Sequence, residues 1–338
     1  MAPSRDRRAR AVAAPTLALA ALALAGCGLG ADPVDDVGAS VVLAFAGDVH
    51  FEGSSAAALE GDLGTAATVL ASADVAVVNL ETAVTSGGDR QPKAYAFRAP
   101  ASAFTVLGRG GVDAVSMANN HGMDFGRAGL VDSLAAARTA KVTVLGAGRT
   151  DTEAFAPMRR TVRGVRVSVL AATDVLDSFA IGSWPATAAR PGVASAKGEG
   201  LARLAGAVRA ERSRADVVAV VVHWGVERRV CPTARQRTAA RALADAGADV
   251  VVGSHAHVLQ PQATVGRAVV HYGLGNFVFY ARGGAAADSG VLTVTATASG
   301  VRSTAWHPAV IRGGRPQLLA DAAKADAVRE HAARGSAC

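Results

Sequence analysis

Short apolar runs rich in valine alternate along this chain with alanine-rich amphipathic segments, and this alternation limits the fold more than any other feature. The apolar runs are residues 41–46, 75–78, 112–116, 142–145, 165–170, 217–222, 250–252 and 268–272. Helix-like segments lie between them, at residues 56–71, 126–137, 200–212 and 232–246. Strands that are apolar on both faces and are separated by helices predict a mainly parallel sheet covered by helices. The sequence therefore predicts an α/β fold.

The pattern changes near the C-terminus. Residues 292–310 alternate between apolar and polar side chains, which predicts antiparallel closing strands. Residues 317–333 are typical of a last helix. We therefore expect one domain over residues 40–316, followed by a C-terminal helix and tail over residues 317–338.

The first residues have the composition of an export signal. A basic stretch ends at Arg10 and precedes an apolar run, residues 11–25, which is shorter than a membrane span. The run ends in the sequence LAGC, which resembles the bacterial lipoprotein signal, where the cysteine is acylated. We expect residues 1–26 to be a signal peptide, Cys27 to be lipidated and residues 27–39 to be a flexible tether. The protein would then be exported and held on the outer face of the cell membrane; an ordinary secretory signal is the alternative.

Charge and cysteine content exclude two classes of function. The formal net charge is +7, but four arginines against one aspartate among the first ten residues account for three of these charges. No later basic run is interleaved with aromatic residues, so we expect no nucleic-acid partner. Beyond Cys27 only Cys231 and Cys338 remain, and outside the cytoplasm they could pair or stay free. Neither cysteine has the setting of a catalytic nucleophile.

Polar side chains follow five of the predicted strands at the point where each strand ends. They are Asp48 and His50, Asn79 and Glu81, Asn119 with Asn120 and His121, His223, and His255 with His257. Ligands of open α/β sheets bind at the carboxyl ends of the strands. Residues two apart on a strand project to the same side, so several of these pairs could aim two side chains at one point.

Imidazole, carboxylate and amide ligands without sulfur suit a borderline divalent metal. The candidates are too numerous for one four-coordinate ion, but two ions bridged by a carboxylate would use them. Each motif alone has a structural explanation: a turn, a helix cap or a buried histidine packed against an aromatic ring. All five together favour a metal site.

The same residues resemble a known family. The segments AGDVHF, VVNLET, FRAP, MANNHGMDFG, VVHWGVE, AGADVVVGSHAHVLQP and HYGLGNFVF occur in this order over about residues 41–279. They resemble the CapA-type proteins of poly-γ-glutamate capsule biosynthesis, whose domain is similar to the calcineurin-like metallophosphoesterases. The resemblance implies a sandwich of mixed, mainly parallel β-sheet flanked by helices.

The resemblance also implies roles for single residues. One metal ion would be held by Asp48, His50, Glu81 and His257, and the other by Glu81, Asn120, His223 and His255. His121 would protonate the leaving group. Arg98, Asn119 and Asn276 would contact substrate, although Arg98 could instead form a surface ion pair and Asn276 a turn. Glu227, four residues after His223, would either support the metal ligands or be solvated. The ions would be Mn, Fe, Zn or Ca.

The resemblance implies a lipid-anchored protein that makes, tethers or trims an anionic surface polymer by metal-dependent hydrolysis. Its partners would be the polymer or its precursor, a membrane synthase complex and, through the lipid, the membrane. Two alternatives stay open. One is a non-catalytic subunit that binds polymer or supports a synthase, and the other is a general surface phosphoesterase such as a nucleotidase.

Overall fold

A computed structural model describes residues 39–338 of the chain. The expected signal peptide, the lipidated Cys27 and nearly all of the tether lie outside these described residues. Two large β-sheets pack face to face in the described part, and helices cover both outer faces. The predicted α/β sandwich of mixed, mainly parallel sheet is confirmed.

The first large sheet has eight strands. They are β1 (Ser40–Val49), β2 (Val75–Leu80), β5 (Ala114–Ser116), β6 (Thr143–Leu145), β15 (Asn276–Val278), β16 (Asp288–Thr297), β17 (Gly300–Arg312) and β18 (Arg315–Leu318). Their order is β18-β17-β16-β1-β2-β5-β6, with β15 beside the end of β1. Strands β1, β2, β5, β6 and β15 pair in parallel, whereas β16, β17 and β18 close the sheet in antiparallel pairing, as the alternating pattern predicts.

The second large sheet has six strands. They are β8 (Met158–Val162), β9 (Val165–Thr173), β11 (Val217–His223), β12 (Val250–Ser254), β13 (Gln262–Val265) and β14 (Ala268–His271), in the order β13-β14-β12-β11-β9-β8. The four central strands are parallel and both edges are antiparallel. Two short pairs are β3 (Ala83–Val84) with β4 (Arg98–Ala99), and β7 (Ala147–Gly148) with β10 (Gly192–Val193).

Helices occupy the outer faces of the sheets. They are α1 (Ala67–Ala71), α2 (Ser102–Arg109), α3 (Gly126–Ala140), α4 (Asp151–Ala154), α5 (Gly200–Arg212), α6 (Ala234–Asp245) and α7 (Asp321–Ala337), with 3₁₀ turns at Gly53–Glu60 and Gly284–Ala286. Helices α1, α2 and α3 pack on the first sheet, and α5 and α6 pack on the second.

The strand sequences explain this layering. On β1, Leu43 and Phe45 face the second sheet, while Ala44 and Ala46 face the helices of the first. On β11, Ala219 and Val221 point between the sheets, and Val220 points toward α5 and α6. Because both faces are covered, every position needs an apolar side chain, and burying one valine contributes about 1.5–3 kcal/mol. This explains why the strands are continuous apolar runs.

Three predicted helices have different bounds in the structure. The helix predicted over residues 56–71 is instead a 3₁₀ turn followed by the short α1, because Gly61 adopts φ +106° and ends the first turn. Helix α6 begins after Thr233, whose side chain forms a capping box with Gln236, so Pro232 precedes the helix rather than opening it. The last helix covers Asp321–Ala337 rather than residues 317–333.

The last helix packs against strands of both sheets, β17 and β13. Cys231 and Cys338 form a disulfide, which decides between the two states that the sequence left open. His331 of α7 stacks on Trp306 and lies with its Nε2 3.0 Å from that of His271. Over residues 39–338, none of the helices has both the length and the hydropathy needed to cross a bilayer.

Candidate metal centre

Strand ends from both sheets meet at one buried point. Asp48 lies on β1 in register with Asn79 of β2 and with Asn276 of β15. His223 ends β11 and pairs with Ser254 at the end of β12. The side chains of Asp48, Glu81 and His223 are completely buried. The carboxyl ends of these parallel strands therefore bring together side chains that are far apart in sequence.

Two groups of side chains have the spacing of metal ligands. Asp48, Glu81 and His223 form one group, and Glu81, His255 and His257 form the other; within each, the ligand atoms lie within 4.8 Å of one another. Glu81 belongs to both groups, which fits the bridging position that the resemblance implies. Asn120 joins the first group, since its Oδ1 lies 2.9 Å from His223 Nε2.

Unpartnered atoms in this cluster indicate that something binds there. Among residues 39–338, both carboxylate oxygens of Glu81 are buried without a hydrogen-bond partner, and so are His50 Nε2 and His255 Nδ1. A buried polar atom without a partner costs about 1–3 kcal/mol, so native proteins rarely keep four together. A divalent cation accepts electron pairs from carboxylate and imidazole and would satisfy them. The residues therefore fit a divalent metal.

The electrostatics of the cluster also favour a cation. Burial lowers the pKa of His255 to about 3, with a further decrease from His257, so this imidazole is neutral and able to bind a metal. Burial and the neighbouring Asp48 raise the pKa of Glu81 well above its usual value. Burial disfavours a charged His257, but Glu81 and Asp48 outweigh it and raise its pKa to about 10. The two carboxylates therefore favour positive charge at this point.

The backbone conformation of the two histidines after β12, His255 and His257, differs from the predicted one. The strand ends at Ser254, so His255 and His257 do not project from alternating strand positions. Instead both have a positive φ, +89° and +54°. Residues other than glycine rarely adopt this backbone region, and such strain often marks functional sites. The observed left-handed backbone replaces the predicted strand geometry for this pair.

Hydrogen bonds orient the ligands. His257 Nδ1 lies 3.1 Å from Asp48 Oδ2 and 2.9 Å from Asn276 Oδ1, which places a proton on Nδ1 and leaves Nε2 for the centre. His223 Nδ1 lies 2.9 Å from Ser254 Oγ, so its Nε2 also faces the centre. Asn79 donates to Asp48 Oδ1 at 2.9 Å.

His121 is held at the edge of the centre by residues that the sequence reasoning missed. Its Nδ1 lies 2.7 Å from Asp124 Oδ2, which directs Nε2 toward Glu81 Oε1, 3.9 Å away. The buried Lys93 is 3.1 Å from the other oxygen of Asp124 and also donates to the carbonyl of Asn120. Asp124 lies three residues after His121 in NNHGMD, and this spacing is the one signal that could have found it. Lys93 has no such signal.

His50 and Asn119 are two further residues that the sequence predicts for the site. His50 is buried among Phe97, Phe279 and Tyr280 and belongs to neither ligand group. The Asn119 side chain donates to Asn79 and to Leu80 and accepts from the His121 N–H, so both of its polar ends have protein partners.

Two predicted substrate contacts and Glu227 have different surroundings. Asn276 and the exposed Glu227 line a cavity beside the centre. Asn276 also orients His257, as described above. Arg98 is exposed and lies over the ring of Phe125 at 4.5 Å, outside that cavity.

The segment before Asp48 requires a residue without a side chain. A Cβ atom on Gly47 would lie 1.8 Å from the carbonyl oxygen of Gly275, which directly precedes β15 beside the end of β1. Asp48 N–H donates to that same carbonyl at 3.0 Å. Gly47 therefore allows β15 to bring Asn276 beside Asp48.

The fold is a two-sheet α/β sandwich that is also found in a solved structure. A crystal structure described as a novel phosphatase from Mycoplasma pneumoniae superposes with a TM-score of 0.51 at 14% identity, covering 81% of this chain and 94% of that one. The bacterial capsule synthesis protein family PGA_cap matches residues 42–281. The chain belongs to this family, as the motifs predict.

Curated relatives match part of the chain. The capsule biosynthesis protein CapA of Bacillus anthracis is 37% identical over 177 residues, which are 52% of this chain and 40% of that protein. The PGA biosynthesis protein CapA of Bacillus subtilis is also 37% identical over 177 residues, 43% of its length. A probable polyglutamine synthesis accessory protein of Mycobacterium tuberculosis is 32% identical over 213 residues, 61% of this chain and 55% of that protein. The matches thus span about half the length of these relatives.

Proposed function

We propose that this protein acts in the biosynthesis of a poly-γ-glutamate type surface polymer through a hydrolytic centre that holds two divalent metal ions. The observation that carries this proposal is Glu81, which belongs to both ligand groups and keeps both buried oxygens without a partner. The names of the curated relatives support the polymer. Asp48, Asn120, His223, His255 and His257 would hold the two ions, and Glu81 would be shared by both. His50 would complete the site from its buried position beside them.

The chemistry would be the cleavage of a phosphoryl or carbonyl derivative by water. Bound divalent ions would lower the pKa of water and polarise the group under attack. Asp124 fixes the Nδ1 proton of His121 and leaves Nε2 free. Nε2 would receive the proton that the attacking water loses and deliver it to the departing oxygen or nitrogen. Lys93 would hold Asp124 in place.

We further propose that the protein works outside the cytoplasm, held by a lipid on Cys27. The basic and apolar N-terminal residues support export. The Cys231–Cys338 disulfide supports an oxidising compartment. Mass spectrometry of the protein from membranes tests this: a diacylated N-terminal cysteine is expected, and an unmodified Cys27 would contradict it.

The hydrolytic proposal is tested by metal analysis and a substrate screen of the full chain. We expect about two divalent ions per chain and chelator-sensitive turnover of a phosphodiester or a γ-glutamyl oligomer. His121→Ala should keep the metal but lose about 10²–10⁴-fold in rate. His307→Ala changes a histidine of β17 outside the centre and serves as the control. Full activity of His121→Ala would show that the proton-transfer role is wrong.

A non-catalytic role is the second candidate, because one relative carries the name of an accessory protein. An Asp48→Ala/His257→Ala double variant separates the two when its folding is verified by circular dichroism. Loss of surface polymer with unchanged recovery of a synthase partner supports the enzyme. Unchanged polymer supports the accessory role.

A further inference from the structure

A cavity of about 510 Å³ opens beside the metal centre. His121 and His257 reach it from the centre, and Tyr95, Phe97 and Tyr280 are among the aromatic residues that line it. Tyr95 is 68% exposed. The cavity therefore leads from solvent to the centre along aromatic rings.

Two arginines, Arg228 and Arg282, line the cavity. Arg228 follows β11 and Arg282 follows β15, and both are exposed. Within residues 39–338, neither guanidinium lies in ion-pair distance of an aspartate or glutamate. Glu227 is the one acidic residue among the cavity's lining residues. Positive charge thus exceeds negative charge on this wall.

The backbone that carries Arg228 is fixed to the centre. Arg228 has φ +62°, and its N–H donates to the carbonyl of Ala256 at 2.7 Å, between the two strained histidines. Gln260 Nε2 donates to the carbonyl of Arg229 at 2.7 Å. A left-handed arginine costs backbone energy. The hydrogen bonds hold this backbone conformation. They therefore fix the position from which the Arg228 side chain extends along the cavity wall.

We propose that this cavity binds a chain of carboxylates, with Arg228 and Arg282 binding the carboxylates that flank the group held at the metal centre. Guanidinium groups match carboxylates with two parallel hydrogen bonds. The aromatic rings contact the hydrocarbon spacers between the charges. This inference rests on the proposed function, because it names the residues that select the polymer at the same site.

Binding of a fluorescein-labelled γ-glutamyl decamer to the full chain, followed by anisotropy, tests this inference. Each of Arg228→Gln and Arg282→Gln should weaken binding about fivefold, and the double variant about 25-fold, since a partly exposed charged contact contributes about 1 kcal/mol. Arg228→Lys keeps the charge and should retain part of the affinity. Arg302→Gln, an exposed arginine of β17 outside the cavity, is the control and should bind like the unaltered chain.

Three competitors define the ligand class: the unlabelled γ-glutamyl decamer, its amidated form and inorganic polyphosphate. An unlabelled γ-glutamyl decamer should displace the probe, and the amidated decamer of equal length should not. Binding by the double variant within twofold of the unaltered chain, equal weakening in the Arg302 control, or stronger competition by inorganic polyphosphate would each overturn the inference. Metal content and turnover are measured separately. An inert centre with arginine-dependent binding would therefore contradict the hydrolytic proposal and support this one.

Discussion

The buried carboxylate of Glu81 allows a sharp test of the metal centre, through the change Glu81→Gln. This substitution keeps the size of the side chain and removes its charge. In the metal-free protein, burial and Asp48 raise the pKa of Glu81, so the folded state binds its proton more tightly than the unfolded state does. Protonation of this carboxyl therefore stabilises the fold as pH falls, and the ionised form destabilises it at higher pH.

The magnitude follows from the environment of the side chain. Both oxygens of Glu81 are buried and unpartnered, a state that costs about 1–3 kcal/mol. With a chelator at pH 8, Glu81→Gln should be more stable than the unaltered chain, because a buried charge costs more than the neutral amide that replaces it, and the difference should shrink as pH falls toward the usual carboxyl pKa of 4.5. A divalent ion at 100 times its dissociation constant stabilises the unaltered chain by about 2.7 kcal/mol. The variant lacks the ligand shared by both groups and should gain little.

Urea unfolding of both proteins, with chelator and with Mn²⁺ or Zn²⁺, measures the two effects. The order of stability should reverse when metal is added. Glu60→Gln removes an exposed acid of the first 3₁₀ turn, outside the centre, and is the matched control, for which no reversal is expected. The reasoning is refuted if Glu81→Gln is less stable than the unaltered chain in chelator at pH 8, or if metal stabilises both equally.

Three further predictions concern the scaffold. Gly47→Ala should lower the free energy of unfolding by about 3 kcal/mol or more, because its Cβ would lie 1.8 Å from a carbonyl oxygen of the β1–β15 contact. Gly206→Ala in α5 is the control: its Cβ meets no atom within 4 Å, and it should be neutral or stabilising in the same urea titration. Hydrogen bonds from Arg159 lower the pKa of Glu211 from 4.5 to about 2, so this pair stabilises the fold above pH 4.5 and loses that contribution as pH falls toward 2. Glu211→Gln should cost about 2–3 kcal/mol at pH 7 and almost nothing at pH 2. Cys231→Ser opens a disulfide that closes 107 residues and should cost about 2–5 kcal/mol, measured by calorimetry under non-reducing conditions.

The fold was predictable because the layering of the sheets requires an unusual sequence. Strands covered on both faces must be apolar throughout, and helices between them must follow a different period, so the two kinds of segment separate clearly. The error over residues 56–71 has a local cause. Alanine content favours a helix there, but a glycine at position 61 ends the turn. Composition alone could not locate that break.

The candidate site was predictable only where it follows strand ends. Asp48, Glu81 and His223 come directly from the carboxyl ends of β1, β2 and β11, which topology brings to one edge. Lys93 and Arg282 come from loops whose course depends on tertiary contacts, and no spacing in the sequence indicates them. The left-handed backbone at His255 was likewise not predictable, because the strand pattern continues up to it.

The centre also shows how this fold uses stability for function. A purely structural cluster would pair Glu81 with a donor, as Glu211 is paired with Arg159 and Ser168 elsewhere in the chain. Instead the Glu81 carboxylate has no hydrogen-bond partner within residues 39–338. His255 and His257 adopt a left-handed backbone. The carboxylates of Glu81 and Asp48 raise the pKa of His257 to about 10, against the effect of burial. The unpartnered carboxylate and the strained backbone raise the free energy of the folded protein when no cation is bound. A cation bound between the carboxylates would offset this cost. The three observations concern hydrogen bonding, backbone conformation and charge, and a site that binds divalent metal accounts for all of them.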